Sequence, residues 1–310
     1  MKDFGFNDIL YALQHVRGGI PIQRLTSRIR LGEHGSRFFG PSYNLFDIKE
    51  FDPEIDPPNM IVDIPGGDED IIYARRCIED HEAKINFLID LSSSIDTGIH
   101  SNKRRMVLEA IGFVGATGIR YQDPVGLIGF ADRIILNLKP KSGKMNFYHL
   151  LSVVYDFLEK SNPDDKKNIV RTTNFFAALD FIRRNFDRPC VIPVISDFLD
   201  FEKVLESSLF RLVASRHEMM FIFIDEPEIY KTSRGFGYVK VRDVETGRIT
   251  SVSRRKLSVI EKEARNKRTN LRRELRKIGI HSVVLEYGKH LKRLQRFFLA
   301  RRKSGRYTGR

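Results

Sequence analysis

The 310-residue sequence contains no tryptophan, only two cysteines and no long uninterrupted run of apolar residues. Two cysteines cannot form a disulfide framework or a four-thiolate zinc site, and no Cys/His spacing typical of zinc is present. We expect Cys77 and Cys190 to be buried, reduced thiols, which favours a cytoplasmic location. No apolar run approaches about eighteen residues, so no membrane-spanning helix is predicted, and no signal-peptide pattern is recognised.

Common catalytic and phosphate-binding motifs are also missing. The segment Ser142–Met145 lacks the first glycine and the hydroxyl residue of a phosphate-binding P-loop. The sequence has no Gly-x-Ser-x-Gly elbow of a serine hydrolase, and its eight histidines form no metalloprotease pattern. We therefore expect the protein not to be an enzyme, and a metal-dependent hydrolase is the less favoured alternative.

Positive charge is concentrated at the C-terminal end of the chain. Residues 254–310 contain 20 Lys and Arg against 4 Glu, a net charge of +16, so residues 1–253 carry −3. This asymmetry indicates an acidic partner surface such as nucleic acid, an anionic membrane or an acidic protein, although solvated helix faces explain it equally well. Few aromatic residues accompany these charges, Phe297 and Phe298 being the main pair. Nucleic-acid binding by residues 254–310 is thus an alternative function.

Hydrophobic patterning predicts an α/β fold with a doubly wound, mostly parallel sheet from Lys84 onward. Short apolar runs, several of them continuous as in strands covered on both faces, alternate with segments of helical periodicity. The predicted strands are 85–90, 125–130, 134–138, 191–196, 220–225 and 283–287. The predicted helices are 102–116, 144–159, 174–186, 201–216, 256–278 and 290–302, the last two forming a basic helical C-terminal end.

The rest of the chain is predicted to lie at the periphery of this sheet. Residues 1–83 would form an N-terminal arm and a small β extension. Within them we expect a helix near 6–16, an irregular stretch at 32–41 and strands near 45–51, 60–64 and 71–78. Residues 84–300 would form the α/β domain, with a β insert at about 236–253, and residues 301–310 a basic tail.

Oxygen-bearing side chains follow the first predicted strand of the α/β domain. Asp90, Ser92 and Ser94 are spaced two residues apart, so in an extended backbone their side chains point the same way. Thr173 precedes a predicted helix and Asp197 follows another strand, so all five would meet at the carboxyl edge of a doubly wound sheet. Such oxygen ligands suit a hard divalent cation such as Mg²⁺, with Mn²⁺ or Ca²⁺ as alternatives.

Each of these residues also has a purely structural interpretation. Ser94 or Ser101 could cap the predicted helix 102–116, and Thr173 could cap the predicted helix 174–186. Asp197 could cap a helix or lie in solvent at the end of its strand. Thr172 is the neighbour most easily confused with Thr173. The metal interpretation therefore depends on the five residues taken together.

The pattern resembles the metal-ion-dependent adhesion site of von Willebrand factor A-type domains. That motif reads Asp-x-Ser-x-Ser, then a distant Thr and a distant Asp. In this sequence its positions are filled by Asp90, Ser92, Ser94, Thr173 and Asp197. The resemblance implies a divalent cation that offers a coordination position to a carboxylate of a partner protein.

Most of the chain resembles the bacterial and archaeal domain-of-unknown-function family 58. The matching segments are Gly32–Gly40, Arg75–Asp80, Arg216–Glu218 and Asp243–Gly247. The sequence departs from the family in lacking its Gly-Asp-Asp-x-Arg-x-Ile-Asp-Trp block, and Ile95 stands where the family commonly has Met. The Ile95 departure changes packing but removes no metal ligand.

Members of family 58 are commonly paired with MoxR-type AAA+ ATPases. The resemblance therefore implies a non-catalytic adaptor that works with such an ATPase in protein assembly or remodelling. The partner would supply an Asp or Glu carboxylate to the bound cation. Contact of the basic C-terminal region with nucleic acid or an anionic membrane stays open at this point.

Overall fold

A six-stranded sheet lies at the centre of the chain in the computed structural model, which describes residues 39–54, 61–68, 71–78, 84–95, 102–120, 123–160, 172–198, 201–225, 237–242 and 249–307. Its strands are β4 (Ile85–Asp90), β5 (Val125–Phe130), β6 (Ile134–Lys141), β7 (Val191–Ser196), β8 (Glu218–Asp225) and β11 (His281–Glu286). The helices that accompany them are α1 (Asn102–Arg120), α2 (Lys144–Lys160), α3 (Phe175–Asn185), α4 (Glu202–Glu206), α5 (Ser208–Arg216), α6 (Arg254–Lys277) and α7 (His290–Tyr307).

The strand order of this sheet is β11-β8-β7-β4-β5-β6. All neighbours pair in parallel except β6, which is antiparallel to β5 at one edge. The order reverses direction around β4, since the chain first moves to β5 and β6 and then returns to β7 on the other side. The predicted fold class, a doubly wound and mostly parallel α/β sheet, is confirmed.

Helices cover both faces of the sheet, which explains why its central strands are continuously apolar. On β4, the side chains of Ile85, Phe87 and Ile89 pack against α1, α2 and α7. Leu88 belongs to the opposite cluster, formed with α3, α4, α5 and α6. Every residue of β4 is buried, as expected for a strand in the middle of a covered parallel sheet.

Two buried ionic contacts attach α7 to the rest of the domain. His290, the first residue of α7, contacts Glu109 of α1, and Arg301 contacts Glu218 of β8. Burial by itself would raise the pKa of Glu109. Hydrogen bonds and charges from His290 and Arg105 outweigh burial and hold this pKa below its usual value.

Two smaller antiparallel sheets lie outside the central one. Strands β1 (Phe39–Glu50), β3 (Tyr73–Ile78) and β2 (Ile61–Val62) form the first, in that order. Strands β9 (Tyr238–Arg242) and β10 (Ile249–Ser253) form the second, in the segment where the sequence predicts a β insert. Ser253 then caps α6, because its hydroxyl accepts a hydrogen bond from the Lys256 N–H.

The prediction of a single helix at 201–216 is wrong, because this segment forms two helices, α4 and α5. Ser207 interrupts it with an extended backbone (ψ 146°). Its hydroxyl accepts a hydrogen bond from the Phe210 N–H at 3.1 Å, which begins the second helix. The Ser207-Ser208 pair is thus a helix start and not part of a helix interior.

Several other strands and helices begin or end at residues that differ from the prediction. β1 begins at Phe39, inside the stretch predicted to be irregular, and β2 has only 2 residues. β6 and α7 continue beyond their predicted ends, to Lys141 and Tyr307. The helix predicted near 6–16 lies outside the described residues. Within the described ranges, none of the helices is both long and apolar enough to cross a membrane.

Candidate metal centre

The predicted metal ligands lie on loops at the carboxyl edge of the central strands. Asp90 is the last residue of β4, and Ser196 is the last residue of the adjacent parallel strand β7. The loop that carries Thr173 is attached to the same edge, because the Asn174 N–H donates to the Ala131 carbonyl after β5 at 2.8 Å. Three chain segments therefore converge at the point where the strand order reverses, which is where ligands bind in open α/β sheets.

Asp90 is the centre of a hydrogen-bond network at this edge. Its side chain is fully buried, and its Oδ1 accepts from the backbone N–H of Ser92 at 3.0 Å. Its Oδ2 accepts from the hydroxyl of Ser196 at 2.8 Å and, more weakly, from that of Thr173 at 3.4 Å. The two oxygens of one carboxylate thus connect β4, β7 and the loop before α3.

Ser92 and Ser94 bring two hydroxyl oxygens to the same place. Their Oγ atoms are 2.9 Å apart, and Ser92 is buried, two residues after Asp90. The two hydroxyls do come together, but the predicted extended backbone is wrong: β4 ends at Asp90, and the chain then turns, with the Ile95 N–H donating to the Ser92 carbonyl at 3.2 Å. Hydroxyls that bond to one another in this way can turn their lone pairs towards a cation.

Asp197 points to a different partner, the ammonium of Lys103 on α1. The Lys103 Nζ lies 3.5 Å from Asp197 Oδ2 and donates to the Ser94 carbonyl at 3.0 Å. Both side chains of this pair are about one-tenth exposed, at 10% and 9%. The fifth predicted ligand is therefore close to the network but already forms an ion pair with the Lys103 ammonium.

The electrostatics of the centre favour a positive charge. Burial, followed by the negative charge of Asp197, raises the pKa of Asp90 to about 6. Hydrogen bonds from Ser92 and Ser196 act in the opposite direction but are weaker than burial. Two carboxylates close enough to repel one another, one of them deeply buried, are stabilised together by a cation between them.

The backbone after Asp197 is strained and held by aromatic packing. Phe198 has φ +53°, a left-handed conformation that is uncommon for a bulky residue. Its N–H donates to the Ser196 hydroxyl at 2.9 Å, and its ring contacts Phe223 at a centroid distance of 4.5 Å and Phe221 at 4.9 Å. Strain of this kind persists only when the surrounding structure enforces it, and it is concentrated at functional sites.

Sequence reasoning missed two members of the centre, Ser196 and Lys103. Ser196 was visible as the polar end of an apolar strand, but the adhesion-site motif directs attention to its neighbour Asp197. Lys103 gave no local signal, because its contact depends on how α1 packs against the sheet. The alternative role of Thr173 as a helix cap is wrong, since the side chain that caps α3 is that of Asn174, which accepts from the Ala177 N–H at 3.1 Å.

The donor set fits a hard cation with few charged ligands. It consists of two carboxylates and three hydroxyls, and the described ranges contain no cluster of three or more His, Cys, Asp or Glu side chains. A softer metal such as zinc would require nitrogen or sulfur ligands, which are missing from this set. The residue types therefore suit Mg²⁺, or Mn²⁺ with its similar preference for oxygen, better than Zn²⁺.

The basic C-terminal helices use part of their charge within the domain. Arg268 of α6 pairs with Asp225 at 2.5 Å, and Arg293 of α7 pairs with Glu286 at 2.8 Å. Burial, and then the neighbouring arginines, lower the pKa of Arg272. The net charge of residues 254–310 consequently overstates the charge available to an external partner.

Comparison with known families gives one extended match. A sequence profile of the family described as "Protein of unknown function DUF58" matches residues 68–273, which is more than half of the chain. No curated protein sequence matches the chain.

Comparison with solved structures gives matches to proteins from several bacteria. The conserved hypothetical protein BatB from Bacteroides thetaiotaomicron is 16% identical, with 71% of this chain and 99% of that chain covered, at a TM-score of 0.41. An aerotolerance-related membrane protein from Bacteroides fragilis is 15% identical, with 72% and 99% covered, at 0.41. The PilB minor pilin from Streptococcus sanguinis is 12% identical, with 76% and 64% covered, at 0.32. At such low scores and identities, these similarities carry no conclusion about function.

Proposed function

Because the chain belongs to the DUF58 family of proteins of unknown function, we propose that it is a non-catalytic adaptor that captures a partner through a divalent cation. The observation that carries this proposal is the network around Asp90, in which oxygen atoms from three chain segments converge at the switch point of the sheet. Burial and the negative charge of Asp197 raise the pKa of the Asp90 carboxyl. A buried carboxyl with a pKa perturbed in this way is typical of a functional site.

Five side chains would hold the cation: Asp90, Ser92, Ser94, Thr173 and Asp197. When bound, Mg²⁺ supplies a coordination position that an external carboxylate can fill. The three hydroxyls are neutral, so they contribute oxygen atoms without cancelling the positive charge. Asp90 and Asp197 fix its position, and Lys103 limits how much of the Asp197 charge is available. Such a site would attract an Asp or Glu from a partner and not a neutral group.

The partner we propose is a MoxR-type AAA+ ATPase, acting with this chain in protein assembly or remodelling. The proposal comes from the resemblance to family 58, whose members are commonly paired with such ATPases. A ring ATPase with acidic surface residues would also complement the basic charge of residues 254–310. Contact of that region with nucleic acid or an anionic membrane stays a prediction from the sequence alone.

A binding role suits the centre better than hydrolysis. Metal-assisted hydrolysis requires a general base next to the attacking water. The titratable side chains that the described residues bring to the centre are Asp90, Asp197 and Lys103, and each already has an assigned role. We place the interaction in the cytoplasm, with which the free and buried Cys190 is compatible.

Affinity for the ATPase should depend on the divalent cation. We expect the complex between the full chain and a MoxR-type ATPase from the same genome to be at least about tenfold weaker in EDTA than in Mg²⁺, since one coordination bond to a carboxylate is lost. Surface plasmon resonance in the two buffers measures this change. The control is Asp132→Asn, which removes an exposed carboxylate on the loop after β5. This variant should bind the ATPase with the parental affinity in Mg²⁺ and lose the same affinity in EDTA. Equal affinity in both buffers would contradict the proposal.

A further inference from the structure

The long helix α6 presents an exposed face along its whole length. It has 24 residues, which corresponds to about 36 Å. On its inner side, Leu271 and Leu275 are buried in the core, and Arg268 pairs with Asp225 at the end of β8. The residues on the opposite side of the helix are exposed, so none of the described elements covers this side.

Four hydrogen-bonding side chains form a polar stripe on this outward face. They are all exposed, and their spacing of three, four and seven residues places them side by side: Asn266, Thr269, Asn270 and Arg273. Within the helix, Arg273 Nη2 donates weakly to Asn270 Oδ1 at 3.4 Å, and the Thr269 hydroxyl donates to the Arg265 carbonyl at 2.9 Å. These contacts occupy only part of the donors and acceptors that two amides, a hydroxyl and a guanidinium offer.

Basic side chains lie at both ends and on both flanks of the polar stripe. Residues 254–277 contain 11 Lys and Arg against 3 Glu, a net charge of +8. The exposed cations around the stripe are Lys262, Lys267, Arg276 and Lys277. Two acids lie among them, Glu263 and Glu274, and Glu274 pairs with Lys277 at 2.8 Å. The outward side of α6 therefore has a hydrogen-bonding centre within a positive surface.

We infer that α6 binds duplex DNA with its polar stripe in the major groove. That groove is about 12 Å wide, and a helix with its side chains is about 10–12 Å across. Asparagine amides and arginine guanidinium groups are the side chains that pair with adenine and guanine edges in this groove. The cations on the flanks lie where the phosphates on both sides of the groove would be.

The composition of this face favours duplex DNA over other anionic partners. A helix that binds a lipid surface presents apolar side chains to it. The exposed side chains described between residues 262 and 277 are all polar or charged, and the exposed aliphatic residues of α6, Val259 and Ile260, precede them. The major groove of an RNA duplex is too narrow for a helix. An acidic protein would require the cations but not the amides between them.

This inference goes beyond the proposed adaptor function and does not depend on it. The five side chains of the cation centre lie on other elements, and α6 contributes none of them. Binding to DNA should therefore persist in EDTA, in which capture of a partner through the cation is abolished. The two proposals can fail separately.

Fluorescence anisotropy of a labelled DNA duplex, titrated with the full chain in EDTA, tests the inference. With a duplex of about 20 base pairs in about 50 mM salt, we expect a Kd below about 10 µM. In about 200 mM salt the affinity should fall by about 100-fold, as for about four phosphate contacts. An RNA duplex of the same sequence and vesicles containing phosphatidylserine should bind at least about tenfold more weakly.

Two variants with the same change in net charge locate the contact. Asn270→Asp places a carboxylate in the polar stripe and should weaken DNA binding by about tenfold or more, because it faces base acceptors and phosphates. Lys144→Gln removes an exposed cation from α2, on the opposite face of the sheet, and should weaken binding by less than about twofold. Both positions are exposed, so both variants should unfold at the parental temperature.

Three results would overturn the inference. The first is no binding of the DNA duplex at about 100 µM protein in about 50 mM salt. The second is equal affinity for the DNA duplex and for the RNA duplex or the vesicles, which would indicate attraction of charge alone. The third is an equal loss of DNA affinity in Asn270→Asp and Lys144→Gln, which would show that the outward face of α6 does not contact the DNA.

Discussion

Asp90→Asn is expected to lower the affinity for Mn²⁺ by about 100-fold or more, the upper range of what loss of a supporting group costs a metal site. Asp90 is the fully buried carboxylate of the centre, and an amide of the same shape supplies no negative charge. The fold should remain intact, because asparagine has nearly the same size as aspartate and still offers one oxygen as a hydrogen-bond acceptor. It also removes a buried negative charge beside Asp197. Electron paramagnetic resonance of free Mn²⁺ during titration measures the affinity.

Two further variants make this result specific. Asp132→Asn changes an exposed carboxylate on a nearby loop and should bind Mn²⁺ like the parent. Lys103→Met removes the ammonium that lies 3.5 Å from Asp197 Oδ2 and should therefore bind Mn²⁺ more tightly. Parental Mn²⁺ affinity in Asp90→Asn, or an equal loss in Asp132→Asn, would show that the cation binds elsewhere.

Arg301→Met should destabilise the fold by about 3–5 kcal/mol, the usual effect of removing one partner of a buried ion pair. Arg301 and Glu218 are each only 8% exposed, so the variant would place an apolar side chain against the buried Glu218 carboxylate in place of the guanidinium. Methionine preserves most of the side-chain volume next to Phe297, which limits any packing effect. Urea unfolding followed by circular dichroism gives the change in the free energy of unfolding.

The double variant Glu218→Leu/Arg301→Met separates charge from packing. With both charged groups removed, stability should return to within about 1–2 kcal/mol of the parent, because well-packed apolar residues often replace buried ion pairs without loss. Arg211→Met, at an exposed position, should change stability by no more than about 0.5 kcal/mol. A double variant as unstable as Arg301→Met would assign the effect to packing of α7 instead.

The fold was predictable because its strands are short, apolar and buried on both faces. β4 and β7 end on the polar residues Asp90 and Ser196, and β5 ends at Phe130, two residues before Asp132. The position of Asp90 at a strand end follows from the same pattern, whereas Ser92 and Ser94 meet through a turn that strand alternation does not predict. The break between α4 and α5 was also readable in principle, since Ser207 is a favoured helix cap.

Contacts between distant segments could not be predicted from the sequence. Lys103 reaches Asp197 because α1 packs beside the carboxyl edge of the sheet, and no local pattern encodes that approach. Ser196, and not Asp197, donates to Asp90 because strand-end side chains alternate direction across the sheet.

Anomalous diffraction from a crystal of the full chain soaked in Mn²⁺ tests the central claim most directly. The account predicts one strong peak at the carboxyl edge of the sheet, in contact with Asp90, Ser92 and Ser94. It also predicts that Lys103 moves away from Asp197. A map without a peak at this edge, with the Lys103 ammonium still between Asp197 and the Ser94 carbonyl, would contradict it and identify the lysine as the permanent cation of the centre.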